Sequence, residues 1–200
     1  MLLMSDIHVR SFSGAGLKPY LHSLAKLRAE VFRDSPYFEE PDIHRETEYL
    51  KKVASCKDSI AILIFDGTTL VGSAIGTPLS LEEAAVIKPF KDLELDIHTY
   101  YFLGESTLLK HYRGRGIGHH FFDARETHIT HLQPFKHLCF CVQACCESPT
   151  HAHHEFVSLH DFWRKRGYVH HPELRCQLMR KKIDKTLPEE DQMSFWIKDL

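Results

Sequence analysis

One segment of the sequence combines glycines and arginines in a pattern suited to binding phosphate. It runs from Glu105 to Gly118 and ends in Arg113-Gly114-Arg115-Gly116-Ile117-Gly118. Glycines allow a tight turn whose backbone N–H groups point to one place, and a helix N-terminus adds partial positive charge there. The first acidic residue inside the helix that follows is Asp123, so no carboxylate occupies the site. The segment therefore predicts a pocket for phosphate or pyrophosphate.

The spacing of these glycines excludes two common phosphate-binding loops. A Walker loop requires Lys-Ser or Lys-Thr after its last glycine, and neither follows here. A Rossmann loop requires Gly-x-Gly-x-x-Gly, whereas the spacing here is Gly114-x-Gly116-x-Gly118. The pattern that fits is Arg-x-x-Gly-x-Gly, formed by Arg113, Gly116 and Gly118.

The elements that must position this loop are a strand before it and a helix after it. Hydrophobic periodicity predicts a strand at 99–109, an amphipathic helix at 116–131 and another strand at 137–143. Asp66-Gly67 between two apolar runs predicts a hairpin. The predicted order is strand, two helices, three strands, helix, strand, helix and two strands. This order indicates an α/β (α+β) fold with a mixed sheet, and we expect a single domain over residues 1–200.

With these elements in place, the sequence resembles the GNAT superfamily of acyl-CoA-dependent N-acyltransferases. The resemblance rests on the Arg-x-x-Gly-x-Gly run, the early helix at 24–32, the hairpin at Asp66-Gly67 and the element Phe162-Trp163-x3-Gly167-Tyr168. Each motif is weak alone, and their order and spacing over nearly the whole chain make the match specific. The resemblance implies a strongly twisted mixed sheet flanked by helices. It also implies transfer of an acetyl or other short acyl group from acetyl-CoA to a primary amine.

The resemblance also implies where acyl-CoA binds. In that family it lies between two central strands that splay apart, here 99–109 and 137–143. Backbone groups at 108–110 would contact the pantetheine arm, and one N–H at Leu108 or Leu109 would stabilise the developing oxyanion. The amides at 113–118 would hold the pyrophosphate. The implied contacts are Leu108, Leu109, Lys110, Arg113, Gly114, Arg115, Gly116, Ile117 and Gly118.

Two side chains are the candidates for proton transfer. An alkyl amine is mostly protonated at pH 7, so a general base is expected. Glu105, on the strand just before the loop, is the candidate base, and the alternative is a structural carboxylate paired with a nearby His or Arg. The family's usual tyrosine position holds Trp163, whose indole N–H only donates. The proton for the leaving thiolate would then come from Tyr168, our candidate, or else from His160 or solvent.

A cluster of cysteines and histidines suggests a second interpretation, a metal-binding protein. Its members are Cys139, Cys141, Cys145, Cys146, His151, His153 and His154. Zn²⁺ is bound by such side chains, but Cys139 and Cys141 share one face of a strand, which is an awkward spacing for a tetrahedral site. We therefore expect small buried thiols and no metal requirement. A catalytically silent acyl-CoA sensor is the other alternative to an enzyme.

Composition limits the partners. The chain has 200 residues, with 25 Lys and Arg against 27 Asp and Glu, so the formal net charge is −2. This balance lacks the basic excess expected of a protein that binds nucleic acid or anionic membranes. Residues Met1–Arg10 do not show the pattern of a signal peptide, and no apolar run approaches the roughly 20 residues that span a membrane. We therefore expect a cytoplasmic protein. Its partners would be acetyl-CoA and a small-molecule or peptide amine.

The last predicted strand, residues 193–197, is rich in aromatic residues. It would pack in a core or, as an edge strand, pair two subunits of a homodimer.

Overall fold

The computed structural model describes residues 7–34, 37–143 and 159–200. In these residues seven strands form one mixed sheet: β1 (Ile7–Phe12), β2 (Ile60–Asp66), β3 (Thr69–Pro78), β4 (Tyr100–Leu108), β5 (His137–Gln143), β6 (Val169–Arg180) and β7 (Glu189–Asp199). Their order across the sheet is β1-β2-β3-β4-β5-β7-β6. The pair β4 and β5 is parallel, and the other neighbours are antiparallel.

Helices cover both faces of this sheet. They are α1 (Leu21–Arg33), α2 (Ile43–Ser55), α3 (Ala84–Asp92), α4 (Ile117–Ile129) and α5 (His160–Lys165). Because both faces are covered, β2 is apolar along almost its whole length. Leu63 packs with α1 and α2, whereas Ile62 and Ile64 pack with α4. Within the described ranges, no helix combines the length and apolarity needed to cross a membrane.

The hairpin predicted at Asp66-Gly67 is confirmed, with a small difference in its turn. Asp66 pairs with Thr69, so the two loop residues are Gly67 and Thr68. Gly67 has a φ of 57°, a left-handed conformation that glycine adopts without a steric penalty. The prediction from the sequence is therefore correct about the turn, but it centres the turn one residue too early.

The strands β4 and β5 separate along their length, as the resemblance implies. They pair only over Tyr100–Phe102 and His137–Cys139. Beyond that point β4 stays paired with β3, and β5 stays paired with β7. Residues 103–108 and 140–143 therefore line a gap in the middle of the sheet.

The closing strand β7 is not an edge strand. It lies between β5 and β6, so the edges of the sheet are β1 and β6. Phe195 and Trp196 are fully buried. The expectation that residues 193–197 form an edge that pairs two subunits is therefore wrong, and the core alternative is confirmed.

Candidate active site

A bulge in β4 decides the direction of Glu105. In the ladder with β3, Gly104 and Glu105 together stand opposite the single residue Ile75. Such a bulge adds one residue to a strand, so the residues after it exchange faces. Leu103 packs on the α4 side of the sheet, and strict alternation would put Glu105 beside it. The bulge instead turns Glu105 to the opposite face, toward α1 and α2.

On that face the Glu105 carboxylate meets a buried arginine of α1. Arg28 Nη1 lies 3.2 Å from Glu105 Oε2, and Arg28 Nε donates to Glu46 Oε2 of α2 at 2.5 Å. The rings of Phe32 and Tyr49 each lie 5.0 Å from the guanidinium carbon. Two carboxylates and two aromatic faces therefore surround one buried cation.

This pairing keeps Glu105 ionised. Burial by itself would raise the pKa of Glu105, but the charges of Arg28 and then Arg180 lower it to about 2. Burial would likewise lower the pKa of Arg28, and the charges of Glu105 and Glu46 raise it instead. The Glu105 side chain keeps 36% of its surface exposed. A partly exposed anion of such low pKa attracts a cation well and holds a proton weakly.

A second carboxylate on the same face, that of Glu82, has a pKa that is raised rather than lowered. Glu82, which follows β3, accepts a hydrogen bond from Thr77 Oγ1 at 2.6 Å. Burial raises the pKa of Glu82 to about 7, and the charge of Glu105 adds to the increase. Burial also raises the pKa of Tyr49, and the charges of Glu82 and Glu105 raise it further. The Tyr49 hydroxyl lies over the bulge, 3.4 Å from where a Cβ on Gly104 would be.

The sequence did not identify Arg28, Glu46, Tyr49 or Glu82, because they come from three parts of the chain: α1, α2 and the segment after β3. A signal for Arg28 is present in α1. Arg28 lies four residues after Leu24, on the apolar face of the helix, where a charged side chain requires a buried partner. Of its two carboxylate partners, Glu105 could not be identified before the bulge in β4 was known.

The backbone of β4 offers hydrogen-bond donors to the gap. The N–H of Leu109 donates to the carbonyl of Val71 on β3 at 3.0 Å. Successive residues of an antiparallel ladder point alternately to the two neighbouring strands, so the backbone groups of Leu108 and Ser106 point away from β3, toward β5. The Leu108 carbonyl accepts a bond from Arg113 Nε at 3.1 Å, outside the ladder. Of the two predicted oxyanion donors, Leu108 and Leu109, the first has its N–H directed into the gap.

The loop between β4 and α4 has the conformation that the glycines predict. Gly114 and Gly116 have φ values of 74° and 79°, in the left-handed region. Among the described residues, nothing lies within 4 Å of a Cβ placed on Gly114, Gly116 or Gly118. No described side chain caps α4, and its first turn has no acidic residue. An uncapped helix N-terminus with open space before it is suited to an anion.

Tyr168 lies on the other face of the sheet from Glu105. Its hydroxyl donates to Glu126 Oε1 of α4 at 3.1 Å. Burial, and then the charge of Glu126, raise the pKa of Tyr168 well above its usual value. Trp163 packs in the same apolar cluster, between the rings of Phe140 and Trp196. The structure therefore does not bring Tyr168 together with Glu105, and its role as an acid stays a prediction.

The predicted cysteine and histidine cluster is only partly described. Cys145, Cys146, His151, His153 and His154 lie outside the described residues. Cys139, Cys141 and Cys176 are free thiols on β5 and β6, packed in one apolar cluster. In the parts of the chain that the structure describes, no three His, Cys, Asp or Glu side chains are arranged to hold a metal ion.

Comparisons of the sequence find no match for this chain, whereas comparisons of the structure find proteins of similar fold. No family model and no curated protein matches the sequence. The fold is similar to that of an N-acetyltransferase from Staphylococcus aureus Mu50, with a TM-score of 0.63 at 10% identity over 98% of this chain and 99% of that chain. It is also similar to an acetyltransferase of the GNAT family from Streptococcus pneumoniae, with a TM-score of 0.59 at 14% identity over 98% of this chain and 100% of that chain.

A third solved structure also has a fold similar to that of this chain. The ribosomal-protein-alanine N-acetyltransferase from Brucella melitensis gives a TM-score of 0.60 at 15% identity, over 96% of this chain and 99% of that chain. This chain has the GNAT fold. The expected α/β fold with a mixed sheet flanked by helices is thereby confirmed. These alignments span almost the full length of this chain and of each of the three solved structures.

Proposed function

We propose that this protein is an N-acyltransferase that moves an acetyl or other short acyl group from CoA to a primary amine by direct transfer. The observation that carries the proposal is the gap between β4 and β5. At its rim stand an uncapped helix N-terminus, backbone N–H groups that point into the gap and the ionised carboxylate of Glu105. These features supply what acyl transfer needs: an anion site for the donor, an oxyanion site and attraction for a cationic acceptor.

Acyl-CoA is assigned to the gap and the loop that follows β4. The pantetheine arm would extend along Leu108–Lys110, where no strand pairs with this segment on the side of β5. The pyrophosphate would accept N–H bonds from residues 113–118 at the start of α4. Arg113 and Arg115 add positive charge there. Ile117 anchors the turn, because its side chain is buried while its backbone begins the helix.

In the proposed reaction a neutral amine attacks the thioester carbonyl. The carbonyl oxygen gains negative charge as the C–N bond forms, and the N–H of Leu108 stabilises it. The tetrahedral intermediate then expels CoA thiolate, and the nitrogen loses a proton to give the amide. Orientation supplies much of the rate, because the gap would hold the thioester beside Glu105, on the face of the sheet toward α1 and α2 where the amine would bind.

Two carboxylates act on the acceptor amine. Glu105 attracts and orients its ammonium form, because a carboxylate with a pKa of about 2 stays ionised and is too weak a base to hold the amine proton. Glu82, with a pKa of about 7, is matched to neutral pH as the group that holds the proton, reached through intervening water. The CoA thiolate, as the anion of a thiol with a pKa of about 8.5, takes its proton from solvent at neutral pH.

The first experiment is calorimetric titration with acetyl-CoA at pH 7.5 in the presence of EDTA. Gly116→Glu places a carboxylate at the start of α4, and Gly116→Ala is the matched control, because it introduces the same left-handed strain without charge. We expect saturable binding by the wild type, modest weakening in Gly116→Ala and loss of binding in Gly116→Glu. Absence of wild-type binding, or equal binding by both variants, would contradict the donor site.

The second experiment separates an enzyme from an acyl-CoA sensor. Release of free CoA thiol is followed with a chromogenic thiol reagent against polyamines, aminoglycosides, amino acids and peptides with a free N-terminus. Turnover that saturates with one of these amines supports the enzyme. Tight acetyl-CoA binding without turnover on any of them would favour the sensor.

A further inference from the structure

The most deeply buried cation of α4 forms no ion pair with the residues that the structure describes. Arg125 is 1% exposed, and its guanidinium pairs with no carboxylate among the described residues. Its bonds go to neutral oxygens. Nη1 donates to the carbonyls of Gly104 at 2.9 Å and Ile75 at 3.1 Å, Nη2 donates to Ser106 Oγ at 2.9 Å, and Nε donates to the carbonyl of Phe121 at 3.1 Å.

Three of these four acceptors belong to the bulge. Gly104 is one of the two bulged residues, Ile75 is the residue opposite them, and Ser106 is the first residue after the bulge to pair again with β3. A bulge interrupts the ladder and leaves backbone groups without their usual partners. The planar guanidinium supplies several donors in one rigid group, so it can bond both strands at this break.

Burying the charged guanidinium of Arg125 costs free energy that an apolar side chain packed in the same core would not cost. Burial lowers the pKa of Arg125 to about 10, which shows that the surroundings disfavour its charge. An apolar side chain of similar volume would fill the space without that cost. The arginine therefore contributes something that an apolar residue cannot, which is a fixed set of bonds to the bulge.

We propose that Arg125 is a positioning residue for acyl transfer, because its guanidinium holds the β4 bulge and so fixes the directions of Glu105 and of the backbone N–H groups of Ser106 and Leu108. Arg125 itself lies beneath the sheet, on the α4 face, and acts through the strand. The inference rests on the proposed acyltransferase function and adds a residue to it.

The kinetic test compares Arg125→Lys with a control of the same chemistry, Arg166→Lys. Arg166 is also largely buried and bonds Asp123 and Glu126 at distances of 2.5 and 3.2 Å, away from the bulge. With the best amine of the panel, we expect Arg125→Lys to lower kcat by about 20-fold or more, with the KM for acetyl-CoA changed by less than about threefold. Arg166→Lys should lose thermal stability and keep its kcat within about twofold of the wild type. A folded Arg125→Lys with wild-type kcat, or a kcat that falls in proportion to donor affinity, would overturn the inference.

A second variant covers the case in which Arg125→Lys does not fold. Ser106→Ala removes one acceptor of the guanidinium and leaves the backbone N–H of residue 106 in place. We expect kcat to fall by about threefold to tenfold, again with little change in the KM for acetyl-CoA. An unchanged kcat in a folded Ser106→Ala would count against the inference.

Amide hydrogen exchange of the free protein gives a readout besides turnover. In Arg125→Lys, or in Ser106→Ala, peptides covering 103–109 should exchange at least about tenfold faster than in the wild type, while peptides from α2 should not change. Unaltered exchange at 103–109 would overturn the inference. A wild type that neither binds nor turns over acetyl-CoA would overturn the proposed function, and the role of Arg125 with it. An active wild type matched by Arg125→Lys would overturn the inference alone.

Discussion

The guanidinium of Arg28 lies 3.2 Å from the carboxylate of Glu105, although 77 residues separate them in the chain. Arg28 belongs to α1 and Glu105 to β4, and the bulge at Gly104 is what turns the glutamate toward the helix. The pair connects α1, on one face of the sheet, to the strand that lines the gap beside β5. It also allows the catalytic and the structural interpretations of Glu105 to be separated by experiment.

Glu105→Gln should lower kcat by about 100-fold and leave the affinity for acetyl-CoA nearly unchanged, because the donor contacts are backbone groups. The measurements are steady-state kinetics with the best amine of the panel described above, and calorimetric titration with acetyl-CoA. Glu46→Gln is the matched control, since Glu46 is bonded to the same guanidinium from α2. If Glu105 only balances the charge of Arg28, the two variants should lose activity to a similar extent. A much larger loss in Glu105→Gln supports its catalytic role.

The pKa of Glu105 also predicts a dependence of stability on pH. Its pKa of about 2 in the folded protein is below the usual value of about 4.3 for an unfolded chain, so ionised Glu105 stabilises the folded state above about pH 4.3. That contribution is lost as the pH falls toward 2. Urea unfolding at several pH values should show the wild type more stable than Glu105→Gln at pH 6, with the difference shrinking between about pH 4.3 and 2. A difference independent of pH would contradict the ion pair.

Glu82 should produce a pH dependence of activity near neutrality. With its pKa raised to about 7, the group is protonated below that pH and cannot accept a proton from the amine. The wild-type kcat should therefore rise through about pH 7, and Glu82→Gln should lack this limb and have a lower plateau. The profile is measured between pH 5.5 and about 8.5 with saturating substrates. A Glu82→Gln profile that keeps the limb near pH 7 would assign it to another group.

The same shift predicts the opposite effect on stability. A carboxyl whose pKa is higher in the folded than in the unfolded chain loses stability as the pH rises between the two values, here from about 4.3 to about 7. Glu82→Gln removes this loss. Its stability relative to the wild type should increase by about 1–3 kcal/mol between pH 4.5 and 7.5, as read from denaturant unfolding. A constant difference over this range would show that burial does not raise the pKa of Glu82.

Tyr168→Phe tests the residue that the sequence favours as the acid. Because the hydroxyl is bonded to Glu126, its removal should lower the melting temperature by several degrees and change kcat by less than about twofold. Steady-state kinetics and thermal unfolding of the same preparation give both numbers. A tenfold or greater loss of kcat without loss of donor affinity would instead establish Tyr168 as the proton donor to the thiolate.

The sequence alone determined the features that depend on neighbouring residues. The left-handed glycines, the helix that starts at Ile117 without an acidic first turn and the hairpin turn at Gly67 all follow from local steric and electrostatic rules. Hydrophobic periodicity predicted the order of elements except for α3, which the predicted order omits between β3 and β4. Together with the glycine pattern, that order was sufficient to indicate the fold.

Only the tertiary structure decided which groups share the site. Side chains alternate along a strand with a period of two, so the single residue added by the bulge moves Glu105 to the other face of the sheet. Gly104 is a local signal for a bulge, because glycine inside a strand often marks one, but it does not specify the register of the strand or the face that Glu105 takes. The partners Arg28, Glu82 and Arg125 come from three other parts of the chain, and their charges become informative only when burial removes water and leaves each of them a small set of neighbours.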